Sequence, residues 1–319
     1  MDKKEYDGVK WAEMVARSEI NPTMSKKLFI SVCPTGALFS RKQNPAQPHS
    51  PEEIAQGAIE AYEEGACLAH IHTRDELGNP SVTIELLQNT LDPILKNCPD
   101  MIIQPSVSAK YKRKPEDKQY SYETVKPMVD DLKSINPKYM ESTIFTPVSY
   151  FLTSTRITLA SEENAVKTIE MLEENGIKPE FMAHNWEGIM NVKEWLIKPD
   201  ILKKPYFISM GPGMHNAAET YPDPWGLLYV LGMMKMMPED TVIGLSAGGR
   251  NWLPLTAFAI LMGVDFVRVG LEDHLWMYPH KNEKIDSNRE VTRKIAAIAK
   301  EFGREIGTPQ EARDLLRIS

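Results

Sequence analysis

Eight apolar runs recur along the chain, each followed by a loop and then by a stretch with helical spacing of its apolar residues. The runs are 28–35 (LFISVCPT), 67–74 (CLAHIHTR), 101–108 (MIIQPSVS), 139–146 (YMESTIFT), 179–185 (PEFMAHN), 206–211 (YFISMG), 241–247 (TVIGLSA) and 265–273 (DFVRVGLED). Strands alternating with helices predict βαβ units and a parallel sheet. Eight regular units predict an α/β fold in which that sheet closes on itself, a single-domain (β/α)8 TIM barrel. An open doubly wound sheet is the alternative, but no glycine-rich dinucleotide turn follows the first run.

The helical stretches carry their own start and stop signals. Ser50-Pro51-Glu52-Glu53 reads as a capping box with proline at the first helical position, and Ile54, Ala58, Ile59 and Tyr62 then share a face until Gly65. Ser287 to Glu290 opens a helix with the stripe Val291, Ile295, Ile298 and Phe302, stopped by Gly303. Thr308-Pro309-Gln310-Glu311 opens a short last helix. Residues 1–27 form a polar N-terminal arm with a short helical patch at Trp11–Ala16, and residues 28–319 the barrel. The charged segment 109–121 reads as a surface loop or lid. The methionine-rich run 233–237 reads as core or subunit contact rather than a cofactor box.

Composition narrows the function classes. With 42% hydrophobic and 25% charged residues the chain is of the soluble globular type. Its net charge of −7 disfavours nucleic acid as a partner. The longest apolar stretch, 255–264, is about half of a membrane span, and the polar first 27 residues do not read as a secretory signal. Three cysteines without CxxC spacing read as reduced thiols in a cytoplasmic protein.

In a barrel of this kind chemistry sits at the C-terminal ends of the strands. The second run ends in His70-Ile71-His72, and alternate strand residues face one side, so two imidazoles meet at the barrel mouth. Such a pair can share a metal, and zinc suits nitrogen ligands; two rim histidines in hydrogen bonds are the structural alternative. Arg268, Gly270 and Glu272 share one parity on the eighth run, which makes Glu272 the candidate third ligand of a site with an open position. An internal Arg268–Glu272 ion pair is the plainer reading. Ser106, Ser108, Glu141, Ser142, Thr143, Glu180 and His184 supply polar groups at other strand ends, Gly211-Pro212-Gly213 a turn, and Arg250 a carboxylate grip. A metal-dependent hydrolase using His184, His215 and Asp273 is a rival, but it wants its His-x-His on the first strand. A non-catalytic binding barrel is a further reading, with no feature of the chain in its favour.

Together these segments resemble the β-keto acid cleavage enzymes. The matching pieces are Pro34-Thr35-Gly36-Ala37, Gly65-Ala66, His70 to Asp75, Gln104-Pro105-Ser106, Arg268 to Asp273, Ser287-Asn288, and the tail from Ala299 to Gly303 with Thr308-Pro309. The resemblance implies a zinc-dependent TIM barrel that exchanges a β-keto acid with acetyl-CoA, giving acetoacetate and a new acyl-CoA. It implies one zinc per chain on His70, His72 and Glu272, Asp273 as general base, Arg268 and Ser106 as orienting and binding groups, and a homotetramer. Family members acting on an amino-substituted acid carry glutamate after the Thr-Gly-Ala turn. Here Leu38 stands there, pointing to an acid with an apolar or uncharged distal end. The family's threonine in the fourth strand aligns with Glu141 or Ser142; an inward Glu141 would instead suit a cationic substrate.

Overall fold

The eight apolar runs form eight parallel strands. The computed structural model describes residues 10–16, 22–107, 121–147, 150–153, 156–158, 161–213 and 225–319. The strands are β1 (Phe29–Val32), β2 (Ala66–Ile71), β3 (Ile102–Pro105), β4 (Ser142–Phe145), β5 (Lys178–Ala183), β6 (Tyr206–Met210), β7 (Thr241–Leu245) and β8 (Phe266–Val269). Strand β1 pairs in parallel with both β2 and β8, so the first and last strands of the chain lie side by side. The ladder continues through every neighbour except β3 and β4. That seam is spanned by the Glu141 amide donating to the Ile103 carbonyl at 3.0 Å and by Thr143 Oγ1 donating to the Pro105 carbonyl at 3.0 Å. The barrel is therefore nearly closed.

Each strand is shorter than its apolar run, because the last residues of each run turn into the loops that carry chemistry. A two-stranded antiparallel hairpin, Tyr150–Thr153 with Arg156–Thr158, follows β4 and has no counterpart among the predicted elements. The segment 109–121, Ser108 and His215 lie outside the described residues, Ser121 excepted.

The helices begin where their caps place them. α1 (Lys10–Ala16) lies in the arm; α2 (Pro51–Glu63) starts with the Ser50–Glu53 capping box, and Gly65 follows it at φ +104°. α3 (Ile84–Asn97), α4 (Tyr122–Ile135), α5 (Glu162–Glu174), α6 (Trp186–Asn191), α7 (Trp225–Met236) and α8 (Trp252–Leu261) follow their strands. α9 (Asn288–Glu301) is capped by Ser287, and α10 (Pro309–Leu316) by a second capping box on Thr308. Met233 is buried within α7, as a core residue is.

Among the described residues two large apolar regions result, with a separate small pair, Ile144 and Met182. The larger lies between strands and helices and takes Ile30, Val32, Ala69, Ile71, Val267 and Val269, the residues that point away from the lumen. The smaller fills the N-terminal end of the barrel with Phe29, Leu68, Ile102, Phe207, Val242 and Phe266, over which Ala312 and Leu316 of α10 pack. Phe266 stacks on Phe29 at 5.0 Å and tilts against Phe207 at 4.9 Å. Above this floor the lumen carries most of the polar side chains that the strands turn inward.

Glu141 belongs to the floor. Its carboxylate takes both Nη1 and Nη2 of Arg313 from α10 and accepts from the Ile103 amide at 3.2 Å. Arg313 also reaches the Asp100 carbonyl at 3.1 Å, at the entrance to β3. The expectation that Glu141 meets substrate is corrected: it sits just before β4 begins, and its buried charge is matched from below.

Candidate active site

Above the apolar floor, alternate residues of the strands turn polar groups into the lumen. Gln104 of β3 lies at their centre. Its Oε1 is 2.9 Å from His70 Nδ1, and its Nε2 donates to Ser142 Oγ at 2.9 Å and to Glu180 Oε2 at 2.8 Å. An amide oxygen accepts only, so His70 carries its proton on Nδ1 and presents the Nε2 lone pair to the mouth. Burial, against the opposing pull of Glu272, lowers the His70 pKa to about 3 and keeps the ring neutral. Burial also raises the Glu180 carboxyl, although hydrogen bonds from Ser209 and Gln104 work the other way.

His72 follows the end of β2. Its Nε2 lies 3.2 Å from His70 Nε2 and 3.3 Å from Glu272 Oε1, while Glu272 Oε2 is 3.7 Å from His70 Nε2. Glu272 Oε2 is buried and finds no hydrogen-bond partner. Burial alone would raise the Glu272 carboxyl, yet the neighbouring His72 and Arg268 outweigh it and hold it well below the usual range. Two imidazole nitrogens and a carboxylate oxygen, all within 4.8 Å of one another, form a donor set that a divalent cation fits. The cation would also supply the partner that Oε2 lacks.

Glu272 reaches this point by a turn rather than along a strand. β8 ends at Val269, and Gly270 follows at φ +144°. A Cβ there would sit 2.1 Å from the Cys33 carbonyl oxygen, so only glycine lets the chain turn so close to β1. The Asp273 and His274 amides then donate to the Gly270 carbonyl at 3.3 and 3.2 Å. His274, with Nε2 2.8 Å from the Ala247 carbonyl, accepts the Gly270 amide on Nδ1 at 3.2 Å. Asn288 accepts the Leu271 amide at 3.0 Å and donates to the Pro34 carbonyl at 3.2 Å. These bonds turn two consecutive carboxylates into the same mouth.

The second carboxylate, Asp273, is held differently. Arg268 donates to its Oδ2 from Nε at 2.9 Å and to its Oδ1 from Nη2 at 2.8 Å. Ser246 Oγ and Cys33 Sγ each lie 3.1 Å from Oδ2. Arg268 Nη2 makes the expected internal ion pair with Glu272 at 3.7 Å, but its closer partner is Asp273. Burial opposes the Arg268 charge, but Asp273 and Glu272 prevail and hold the guanidinium protonated. The fork fixes the plane and position of the Asp273 carboxylate.

The first loop closes the site from the β1 side. Arg74 donates to Thr35 Oγ1 at 2.9 Å and to the Gly36 and Phe39 carbonyls, anchoring the Thr35-Gly36-Ala37 turn. Gln47 holds Thr35 Oγ1 at 2.9 Å and the Leu271 carbonyl, joining this turn to that of β8. Leu38 is 48% exposed on the same loop.

The structure thus brings His70, His72, Glu272, Asp273 and Arg268 together. Ser106 is buried where β3 ends, with its amide on the Ile71 carbonyl at 2.9 Å. Ser142 faces Gln104, behind His70 rather than in the mouth. Gly211 follows β6 beside His184, whose Nδ1 is 3.4 Å from its carbonyl oxygen. Arg250 grips the Lys281 carbonyl at 2.7 Å and Asn282 Oδ1, not a carboxylate. Sequence reasoning did not give roles to Gln104, Gly36, Ser246, Cys33 or His274. Gln104 had a signal, a lone amide inside an apolar strand with the parity of Ser106.

A family model described as beta-keto acid cleavage enzyme matches residues 27–318. The 3-keto-5-aminohexanoate cleavage enzyme of Acetoanaerobium sticklandii is 30% identical over 294 residues, 92% of this chain and 99% of the relative. The 3,5-dioxohexanoate:acetyl-CoA acetone transferase of Paraburkholderia graminis is 24% identical, over 92% of this chain and 96% of its own. Among solved structures, apo ObcA aligns with a TM-score of 0.67 at 17% identity, covering 86% of this chain and 66% of that chain, a likeness of fold.

Proposed function

The chain belongs to the beta-keto acid cleavage enzyme family, and from that membership we propose that it exchanges a β-keto acid with acetyl-CoA at a zinc site of His70, His72 and Glu272, one ion per chain. The observation that supports the site most directly is the buried His70–His72–Glu272 cluster with its unpartnered Glu272 oxygen. Zinc bound there would polarise the ketone and hold the carboxylate end of the acid.

The remaining chemistry falls to the chain's own groups. Asp273, aimed by Arg268, takes a proton from C2 of the β-keto acid. C2 then bonds to the acetyl carbon of acetyl-CoA and the CoA thiolate leaves. Return of the thiolate to C3 breaks the C2–C3 bond and forms the new acyl-CoA. The departing C2 regains a proton and leaves as acetoacetate, so atoms and charge balance. Arg268 keeps the Asp273 carboxylate in position throughout, and Ser106 and Gly211 contribute to seating the acid. Ser142 acts from behind, through Gln104.

Leu38 in place of an acidic residue favours an acid whose distal end is uncharged. We extend the reading to a cytoplasmic homotetramer, with the three free cysteines, all buried, suited to a reducing compartment. No helix among the described residues is long and apolar enough to cross a membrane. The test is acetyl-CoA-dependent acetoacetate formation across a panel of β-keto acids, with zinc measured on the same sample. Turnover with about one zinc per chain, both lost in His72→Ala, is expected. Zinc without turnover of any acid overturns the reaction, and 3-keto-5-aminohexanoate turned over as well as any apolar acid overturns the specificity.

A further inference from the structure

The loop between β8 and α9 leaves the active site carrying a cluster of cations and aromatic rings. Trp276 follows Asp273 by three residues, which places their Cα atoms within about 11 Å. The Arg250 guanidinium lies 4.2 Å from the Trp276 ring centre, and Lys284 Nζ 5.9 Å from it. Lys281 and Lys294 lie 5.1 and 5.0 Å from the ring centre of Tyr278. None of these four cations pairs with a carboxylate among the described residues. Glu283 and Asp286 share the loop but pair with none of the four.

The loop is also rigidly built. Trp276 and Lys284 form an antiparallel bridge, and the Met277 amide donates to the Glu283 carbonyl at 2.9 Å. Trp252 Nε1 donates to the Trp276 carbonyl at 2.7 Å, and Arg250 ties down the loop's tip at Lys281 and Asn282. These four cations, without a carboxylate partner among the described residues, gather on one rim of a chain of net charge −7, where they attract an anionic ligand. Ammonium and guanidinium groups held against aromatic rings in this way suit phosphate oxygens.

We propose that this rim, formed by Arg250, Trp276, Tyr278, Lys281, Lys284 and Lys294, binds the phosphorylated adenosine end of CoA while its thioester reaches Asp273. The cations take the phosphates, and Trp276 with Tyr278 holds those cations in place. This rests on the acetyl-CoA reading above, and it goes further by assigning the nucleotide a place on this chain.

The test uses the full-length protein, CoA, and adenosine 3′,5′-bisphosphate as a probe that lacks the thiol arm. Titration calorimetry is expected to show both binding to the wild type. In Lys281→Glu/Lys284→Glu both affinities fall by about tenfold or more, as loss of two charge-assisted contacts requires. Affinity returns largely in Lys281→Arg/Lys284→Arg, and the KM for acetyl-CoA moves with it while the KM for the β-keto acid does not. Thermal unfolding of each variant separates this from loss of fold. Wild-type turnover of acetyl-CoA with an unchanged KM in the charge-reversed protein overturns the rim assignment and leaves the reaction standing. No binding of CoA and no acetoacetate from any acid overturns both.

Discussion

Glu272 occupies the space that a side chain on Gly36 would fill: a Cβ at Gly36 would lie 2.2 Å from Glu272 Cγ and 2.8 Å from Cδ. The Thr35-Gly36-Ala37 turn therefore shapes the ligand cluster without contributing a ligand atom. Gly36→Ala should displace Glu272 from His72 and weaken zinc binding by about 10–100-fold, the range seen when the support of a ligand is lost. Zinc affinity by competition with a chromogenic chelator checks this. Unchanged affinity would mean that the first loop yields instead.

Gln104 has the same kind of role on the opposite side. It holds His70 Nδ1 and bridges to Ser142 and Glu180. Gln104→Leu removes the acceptor that fixes the ring and its tautomer, so zinc affinity should again fall by about 10–100-fold. Gln104→Glu retains an acceptor and should retain most of the affinity, measured in the same competition assay. Equal loss in both variants would show that packing at Gln104, not its hydrogen bond, matters.

How much of this was legible in the chain differs from residue to residue. The barrel was legible because eight apolar runs alternate with capped helices, and local signals such as Ser50–Glu53 need no tertiary information. His70 and His72 were legible from strand parity. Glu272 was named by parity as well, but β8 ends at Val269 and the side chain arrives through the Gly270 turn. Asp273, on the opposite parity, needed that turn to enter the mouth at all. Glu141 was misplaced because alternation gives a face of the sheet and not a height in the barrel; its partner Arg313 lies 172 residues further on. Gln104 and Gly36 act through contacts with distant elements, which no local pattern encodes.

Arg268 and Asp273 make the next separable prediction. A lysine at position 268 keeps the charge but loses the two-pronged hold on Oδ1 and Oδ2. Arg268→Lys should lower kcat about 100-fold, the scale of a misplaced catalytic group, with zinc content retained. Steady-state kinetics with metal analysis checks it. Loss of zinc in parallel with activity would shift the role of Arg268 to holding Glu272.

Glu141 should respond as a structural residue. Glu141→Gln leaves the Arg313 guanidinium buried without its counter-charge, which costs about 3–5 kcal/mol when such a pair is broken from one side. The expected result is a lower unfolding midpoint in urea, with an unchanged KM for the β-keto acid in the folded protein. A raised KM at undiminished stability would return Glu141 to the substrate site.

Lys178 gives a prediction in pH. It opens β5 with its ammonium donating to the Pro205 carbonyl, and burial, partly offset by Glu173, lowers its pKa from 10.5 to about 8. Below pH 8 the lysine is charged in both folded and unfolded chains, and the folded state bears the full desolvation cost. Between pH 8 and 10.5 the unfolded chain binds more protons than the folded one, so this group's contribution to stability rises with pH. Above 10.5 the lysine is neutral in both states and the cost has gone. Lys178→Met removes the titration, so its stability relative to wild type should be highest near pH 7.5 and decline towards pH 10.5. Urea unfolding of both proteins across that range measures the difference and cancels the other titrating groups. A difference that stays flat with pH would show that Lys178 keeps an ordinary pKa, with its ammonium hydrated rather than enclosed.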